Sequence, residues 1–161
     1  MRVGIGYDSH PFAAGRKLIL GGVEIPHAKG LAGHSDADAV AHAVTDAILG
    51  AAGLGDIGRM FPNDDPQWKD ASSIELLNKA FLKAAEAGFQ FVHADVIVIL
   101  EQPKLAAHVD AMKEKLAAAL LAGAAQVSVK GKTNEGMGWI GRGEGVAVLA
   151  VATLMEPSRQ R

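Results

Sequence analysis

The chain has 161 residues, 16 basic and 18 acidic side chains, and a formal net charge of −2. A domain of about this size buries roughly 70% of its unfolded surface and folds without a disulfide or metal, while near-neutral charge argues against a nucleic-acid binder. Zero cysteines exclude disulfide scaffolds, thiolate zinc sites and thiol catalysis, no apolar run approaches the roughly 18 residues of a membrane span, and no signal-peptide h-region is present. A single domain over residues 1–161, cytoplasmic and without nucleic-acid or membrane partners, is expected.

Arg2 to Tyr7 reads as a β-strand, and Lys17 to Ile25 as another broken by Gly21-Gly22. A helix follows, with Ser35 as N-cap, Asp36 and Asp38 in its first turn, and apolar Val40, Val44, Ile48 and Leu49 before Gly53 and Gly55. Gly55 to Gln67 has no periodicity and reads as a long loop, a type that is often functional. Ser72 or Ser73 caps a second helix carrying Ile74, Leu77, Phe81 and Ala85 on one face, ended by Gly88. Phe91 to Leu100 is strand-like, and its continuous apolar run Val96–Leu100 predicts a strand covered on both faces. Leu105, Val109, Met112, Leu116 and Leu120 recur at helical spacing after Pro103. Val127–Thr133 and Gly145–Met155 complete the set as two strands separated by a Gly-rich turn. The order ββααβαββ predicts an α+β (α/β-like) fold, a mixed sheet with packed helices.

Two phosphate-binding look-alikes fail on context. Gly136-Met137-Gly138-Trp139-Ile140-Gly141 matches G-x-G-x-x-G, but that fingerprint opens a helix inside a βαβ unit and here a strand follows. Gly131-Lys132-Thr133 resembles the end of a P-loop, but Gln126 occupies the position of the upstream glycine.

Asp8-Ser9-His10 carries more chemistry. Residues two apart on a strand share a side, so carboxylate and imidazole can converge on one point, a donor pair that suits zinc. A third ligand must come from elsewhere, and His42 leads, because Asp38, His42 and Asp46 repeat at i, i+4, i+8 along one helix face. The carboxylates would then serve as outer partners of a metal-bound imidazole. The alternative on the same residues is a solvated helix histidine and an ordinary turn. Three protein ligands leave an open position, the pattern of a catalytic zinc. Gly33-His34-Ser35 precedes a helix N-terminus, where capping competes with anion binding. Asp56-Ile57-Gly58 and Phe61-Pro62-Asn63-Asp64-Asp65 supply carboxylates and an amide for hydroxyl groups, and Thr133 and Glu135 share a strand face that could hold a further cation. Together these features suggest a metal-assisted reaction on a phosphorylated, hydroxyl-rich small molecule. A metal-dependent phosphohydrolase and a binding module for isoprenoid diphosphates are the rival readings.

Gly6-Tyr7-Asp8-Ser9-His10, Gly33-His34-Ser35-Asp36-Ala37-Asp38, His42, Asp56-Ile57-Gly58, Lys130-x-x-Thr133-x-Glu135 and Gly141-Arg142-Gly143-Glu144-Gly145, in this order and spacing, closely resemble the 2-C-methyl-D-erythritol 2,4-cyclodiphosphate synthase family. The resemblance implies a phosphorus–oxygen lyase of non-mevalonate isoprenoid biosynthesis that converts 4-diphosphocytidyl-2-C-methyl-D-erythritol 2-phosphate to the cyclic diphosphate and CMP. It implies a homotrimer with helices on one sheet face and active sites between subunits. Zn²⁺ would be held by Asp8, His10 and His42, and a second ion, Mg²⁺ or Mn²⁺, by Glu135. His34 and Thr133 match transition-state-stabilising positions. Ser9, Ser35, Asp56, Ile57, Gly58, Phe61, Pro62, Asn63, Asp64, Asp65, Trp139 and Arg142 match substrate-contacting positions. Leu100, Glu101, Gln102, Pro103, Lys104, Leu105, Lys132 and Asn134 match the cytidine-nucleotide pocket. Asn63, Leu100, Lys132, Asn134 and Trp139 depart from the residues common there. Arg142 and Glu144 match positions beside a central channel where some relatives bind prenyl diphosphates.

Overall fold

A computed structural model describes residues 1–62 and 64–156. Strands β1 (Arg2–Ala14), β4 (Lys29–Leu31), β5 (Gln90–Ile99), β6 (Val127–Lys132) and β7 (Gly145–Met155) form a five-stranded sheet in the order β4-β1-β7-β5-β6. Only β5 and β6 run parallel; the other neighbours are antiparallel, so the sheet is mixed. Strands β2 (Leu18–Leu20) and β3 (Val23–Ile25) form a separate hairpin whose turn is Gly21-Gly22. Both turn glycines have positive φ, 58° and 74°, which matches the twist of the flanking strands at no Cβ cost.

Helices α1 (Ala39–Ala52), α3 (Ser73–Glu86) and α4 (Val109–Ala119) cover one face of the sheet. Helix α1 lies on β1 and β7, α4 lies on β6, and α3 packs across α1 and α4. Short turns of helix, α2 (Ile57–Met60) and α5 (Gly138–Gly141), lie in the connections. The opposite sheet face carries Val3, Ile5, Tyr7, Leu149 and Val151 in the open, each between 36% and 70% exposed.

Several sequence expectations change on folding. Strand β1 does not stop at Tyr7: it pairs with β7 from Arg2 to Pro11 and then with β4 from Phe12 to Ala14, so Asp8 and His10 sit inside the strand. The run Val96–Leu100 is not covered on both faces. Val96, Val98 and Leu100 are buried beneath the helices, while Ile97 and Ile99 are only half-buried on the outer face. Ser35 is not the N-cap of α1. That role falls to Asp38, whose backbone is extended and whose carboxylate accepts from the N–H groups of Val40 and Ala41 at 3.0 and 3.1 Å. The same fully buried carboxylate accepts from Gly21 and Gly22 at 2.8 and 2.6 Å, so it ties the hairpin turn to the helix start.

Helix α1 sits on β1 with almost nothing between the two backbones. A Cβ built on Gly4 would lie 1.9 Å from the Ala47 carbonyl oxygen, and one on Gly6 would lie 1.9 Å from that of Ala43. Only glycine fits there, because the obstacle is backbone rather than a movable side chain. Gly6→Ala is therefore expected to destabilise the fold by about 3 kcal/mol or more. Gly50→Ala, where a Cβ meets nothing within 4 Å, should stabilise α1 by about 0.5–1 kcal/mol. Urea unfolding of the two variants beside the unsubstituted chain measures both shifts.

Candidate active site

Strand alternation turns Gly4, Gly6, Asp8 and His10 toward α1, and the close seating of that helix brings His42 down onto the Asp8–His10 pair. Asp8 Oδ2 lies 3.0 Å from His10 Nε2 and 3.1 Å from His42 Nδ1, and the two ring nitrogens are 3.3 Å apart. The His10 Nδ1–H donates to the Ala32 carbonyl at 2.6 Å, which leaves Nε2 as the nitrogen aimed at Asp8. His42 Nε2, on the far side of its ring, lies 2.8 Å from Ser73 Oγ and 3.1 Å from Ser35 Oγ.

A carboxylate oxygen and two ring nitrogens thus meet at one point, the donor set of a cation site. Burial alone would raise the Asp8 carboxyl, but the hydrogen bonds and charge of His10 and His42 outweigh it and hold it at about 2. Burial opposes charging of His10 as well, yet the hydrogen bond and charge of Asp8, with the Ala32 carbonyl, raise its pKa. A tetrahedral ion with bonds of about 2.0–2.1 Å separates its ligands by about 3.3 Å, so the observed spacings fit zinc. Among the described residues this is the one His/Cys/Asp/Glu cluster whose donors could hold a metal.

The centre opens into a cavity of about 230 Å³ lined by His34, Ser35, Ile57, Gly58, Phe61, Trp68 and Leu76 besides the triad. Asp46, one turn beyond His42, does not support the imidazole. Its carboxylate accepts from the Ile57 N–H at 2.8 Å and so anchors α2 at the cavity rim. The expected acid–His–acid stripe is therefore broken at both ends, with Asp38 capping the helix and Asp46 holding a neighbouring segment. Asp56 caps α2 through the Arg59 N–H at 2.8 Å, and Asp65 caps the short turn at Pro66–Trp68. Pro62 and Asp64 are exposed nearby, and Asn63 lies outside the described residues.

A second cavity, about 490 Å³, lies over the ends of β5 and β6 and shares no lining residue with the first. Leu100, Pro103, Lys104, Leu105, Lys132 and Thr133 line it. Glu101 and Gln102 line a different cleft together with Arg142. The Glu101 carboxylate turns to the chain after β6, accepting from the N–H groups of Asn134 and Gly136 at 2.9 and 3.3 Å. Glu135 sits at φ 52°, and its carboxylate accepts from the Thr133 hydroxyl at 2.8 Å. The two side chains do meet, through a tight turn after the strand rather than through strand alternation. Ser9 and Trp139 line a further cleft beside His10 and Glu144.

A model of the YgbB family matches residues 1–155. A Syntrophus aciditrophicus protein named 2-C-methyl-D-erythritol 2,4-cyclodiphosphate synthase is 54% identical over 156 residues, covering 97% of this chain and 98% of its own. The chain belongs to the YgbB family, that of the 2-C-methyl-D-erythritol 2,4-cyclodiphosphate synthases. Among solved structures, the bifunctional IspDF of Campylobacter jejuni superposes with a TM-score of 0.92 at 45% identity, covering 95% of this chain and 42% of that one. A 2C-methyl-D-erythritol-2,4-cyclodiphosphate synthase in a CDP-bound form superposes at 0.87 with 37% identity, covering 96% of this chain and all of that one.

Sequence reasoning missed Trp68, an isolated apolar residue beyond a loop, and Leu76, because periodicity places it on α3 without stating which cavity that helix faces. It read Ser73 and Asp36 only as helix-start residues, although both stand behind His42. Asp46→Ala should free the Ile57–Gly58 segment from α1. The expected result is a rise in KM of about tenfold, corresponding to loss of one buried hydrogen bond, with the zinc content unchanged. Steady-state kinetics alongside metal analysis reads both quantities.

Proposed function

We propose that this YgbB-family chain acts as one catalytic domain over residues 1–161, a phosphorus–oxygen lyase that converts 4-diphosphocytidyl-2-C-methyl-D-erythritol 2-phosphate to 2-C-methyl-D-erythritol 2,4-cyclodiphosphate and CMP. The observation that carries this reading is the Asp8–His10–His42 convergence in the lining of a cavity, in a chain 54% identical to a synthase of that name. An oxygen of the substrate's 2-phosphate attacks the β-phosphorus of its own diphosphate. The new P–O bond closes the ring as the bond to the α-phosphate oxygen breaks, and CMP leaves with that electron pair. No general base is required, since a phosphate dianion is already nucleophilic.

The protein's main task is to fold the substrate so that nucleophile and phosphorus meet, an effect worth roughly 7–11 kcal/mol in favourable intramolecular systems. Ser9, Ser35, Asp56, Ile57, Gly58, Phe61, Pro62, Asn63, Asp64 and Asp65 are assigned to the erythritol and its phosphate, with Trp139 and Arg142 at the rim. Leu100 through Leu105, with Lys132 and Asn134, are assigned to the cytidine nucleotide, in keeping with the CDP-bound form of a structural relative. His34 and Thr133 would donate hydrogen bonds to the phosphates as charge redistributes. Asp8, His10 and His42 would hold zinc and Glu135 would hold Mg²⁺ or Mn²⁺, and these ions, when bound, neutralise and polarise the diphosphate.

A homotrimer with shared sites is part of the same proposal. Two features support it: an outer sheet face with apolar residues in the open, and nucleotide and metal cavities that share no residue within one chain. Seating that face on a second copy would also cover Ile97 and Ile99. An isoprenoid diphosphate is assigned to the channel along the threefold axis, where it would compete with Glu144 for Arg142, paired at 2.6 Å. The substrates are soluble phosphates, no helix of the described residues is long and apolar enough to cross a membrane, and the cytoplasm is the proposed compartment.

Phosphorus NMR of the protein incubated with the cytidyl substrate and Mg²⁺ or Mn²⁺ should display a cyclic diphosphate with CMP; release of inorganic phosphate instead would identify a phosphohydrolase. His42→Ala should empty the zinc site and lower turnover by about a thousandfold or more, equivalent to several kcal/mol of lost charge stabilisation, while circular dichroism stays native. Mixing inactive Asp8→Ala and Glu135→Ala proteins should restore part of the activity through hybrid trimers. No recovery despite confirmed subunit exchange would reject a shared site.

A further inference from the structure

Behind His42, on the side away from Asp8, three polar side chains, Ser73, Asp36 and Ser35, are packed together. Ser73, the first residue of α3, is fully buried, and Ser35 is 8% exposed. Ser73 Oγ lies 2.8 Å from His42 Nε2, and the Ser73 hydroxyl makes a short hydrogen bond to Asp36 Oδ1. The other Asp36 oxygen accepts from the Ser73 backbone N–H at 3.1 Å, and Oδ1 also accepts from the Asp38 N–H at 3.2 Å. Ser35 Oγ completes the cluster, 3.2 Å from Ser73 Oγ and accepting from the Ala37 N–H at 3.1 Å.

With the Ser35 hydroxyl, 3.1 Å from His42 Nε2, directing its own proton to Ser73 Oγ, the donor and acceptor inventory gives one polarity. A carboxylate only accepts, so the Ser73 hydroxyl proton must point to Asp36. Ser73 then has lone pairs alone to offer His42, and the imidazole must carry its proton on Nε2. The Nδ1 lone pair is left facing Asp8 and His10, which is the form a metal needs.

The geometry points to Asp36 and Ser73 as positioning residues of a relay, Asp36–Ser73–His42, that sets which nitrogen of His42 is free to bind the cation. This inference rests on the reading of Asp8, His10 and His42 as a zinc site. It assigns to Asp36, through a hydroxyl, the outer-carboxylate role that spacing alone suggests for Asp38 and Asp46. The relay spans three segments. Asp36 lies in the turn before α1, Ser73 opens α3, and His42 belongs to α1 itself. The Asp36 N–H donates to the Ala71 carbonyl and the Asp70 N–H to that of His34, so the two supporting segments are laced together on either side of the relay.

The relay makes an unusual prediction for an isosteric change. In Asp36→Asn the amide nitrogen can donate to Ser73, whose hydroxyl then donates to His42 Nε2. That places the ring proton on Nδ1 and blocks the metal. Ser73→Ala only removes the partner and leaves the tautomer unguided. Loss of such outer support commonly costs 10–100-fold in metal affinity, so Ser73→Ala should weaken zinc by about that factor and Asp36→Asn by at least as much.

Zinc dissociation constants from competition with a chromophoric chelator, together with ¹⁵N spectra of the imidazoles in metal-free protein at about pH 9, where histidines are neutral, read both effects. The expected result is an Nε2–H tautomer for His42 in the unsubstituted chain, an Nδ1–H tautomer in Asp36→Asn, and weakened zinc in both variants. Unsubstituted protein that binds zinc yet holds His42 as Nδ1–H overturns the relay, and so do native zinc constants in both folded variants. Because the tautomer is read in the unsubstituted chain, misfolding of a variant does not shelter the inference. Unsubstituted protein that takes up no zinc overturns the metal reading itself, and the relay with it.

Discussion

The contact on which the rest depends is the one between the backbones of β1 and α1. Glycine at positions 4 and 6 lets the carbonyls of Ala47 and Ala43 approach to a distance no side chain would allow. One residue before Ala43 stands His42, so the depth at which α1 seats on the sheet sets how far that imidazole reaches toward Asp8 and His10. The chemistry of the centre is in this sense a consequence of packing. Two glycines and a row of alanines fix the height of the helix, and the strand pleat supplies the facing pair.

The turn before α1 then holds the assembly in register. Residues 34–38 carry three acceptors with separate tasks. Ser35 and Asp36 face the imidazole side, and Asp38 faces away into the Gly21-Gly22 hairpin. Asp38 satisfies four backbone N–H groups in an environment without water, two at the helix start and two in the hairpin turn. Leaving such donors unpaired costs about 1–3 kcal/mol each. The carboxylate is thus a structural tie, and the centre borrows its rigidity from it.

The two faces of the sheet divide the labour. The inner face builds the core and carries the Asp8–His10–His42 cluster with its cavity. The outer face, apolar and open in the single chain, carries Asp95 and Lys130 paired at 2.6 Å among its exposed isoleucine and valine side chains. The larger cavity sits at the far edge of the sheet, on β5 and β6, two and three strands from the one that carries Asp8. The two cavities share no lining residue within one chain.

The strands β6 and β7, the run in β5, and helices α1, α3 and α4 were all legible in the sequence, because periodicity, caps and glycine stops are local properties of a few consecutive residues. So was the convergence of Asp8 with His10, which needs only the two-residue repeat of a strand, and the choice of His42 as their partner. The order of strands in the sheet, the extension of β1 past His10, and the short strand β4 were not, since each depends on pairing with residues more than a dozen positions away. The helix stripe Asp38–His42–Asp46 misled for a related reason. Spacing states which side chains share a face, but the competing N–H donors of Gly21, Gly22 and Ile57 come from other segments. Sequence by itself determined which donors exist and which local elements carry them. Only the tertiary structure decided what each faces, because hydrogen-bond partners and helix depth are set by contacts that the chain creates when distant segments meet.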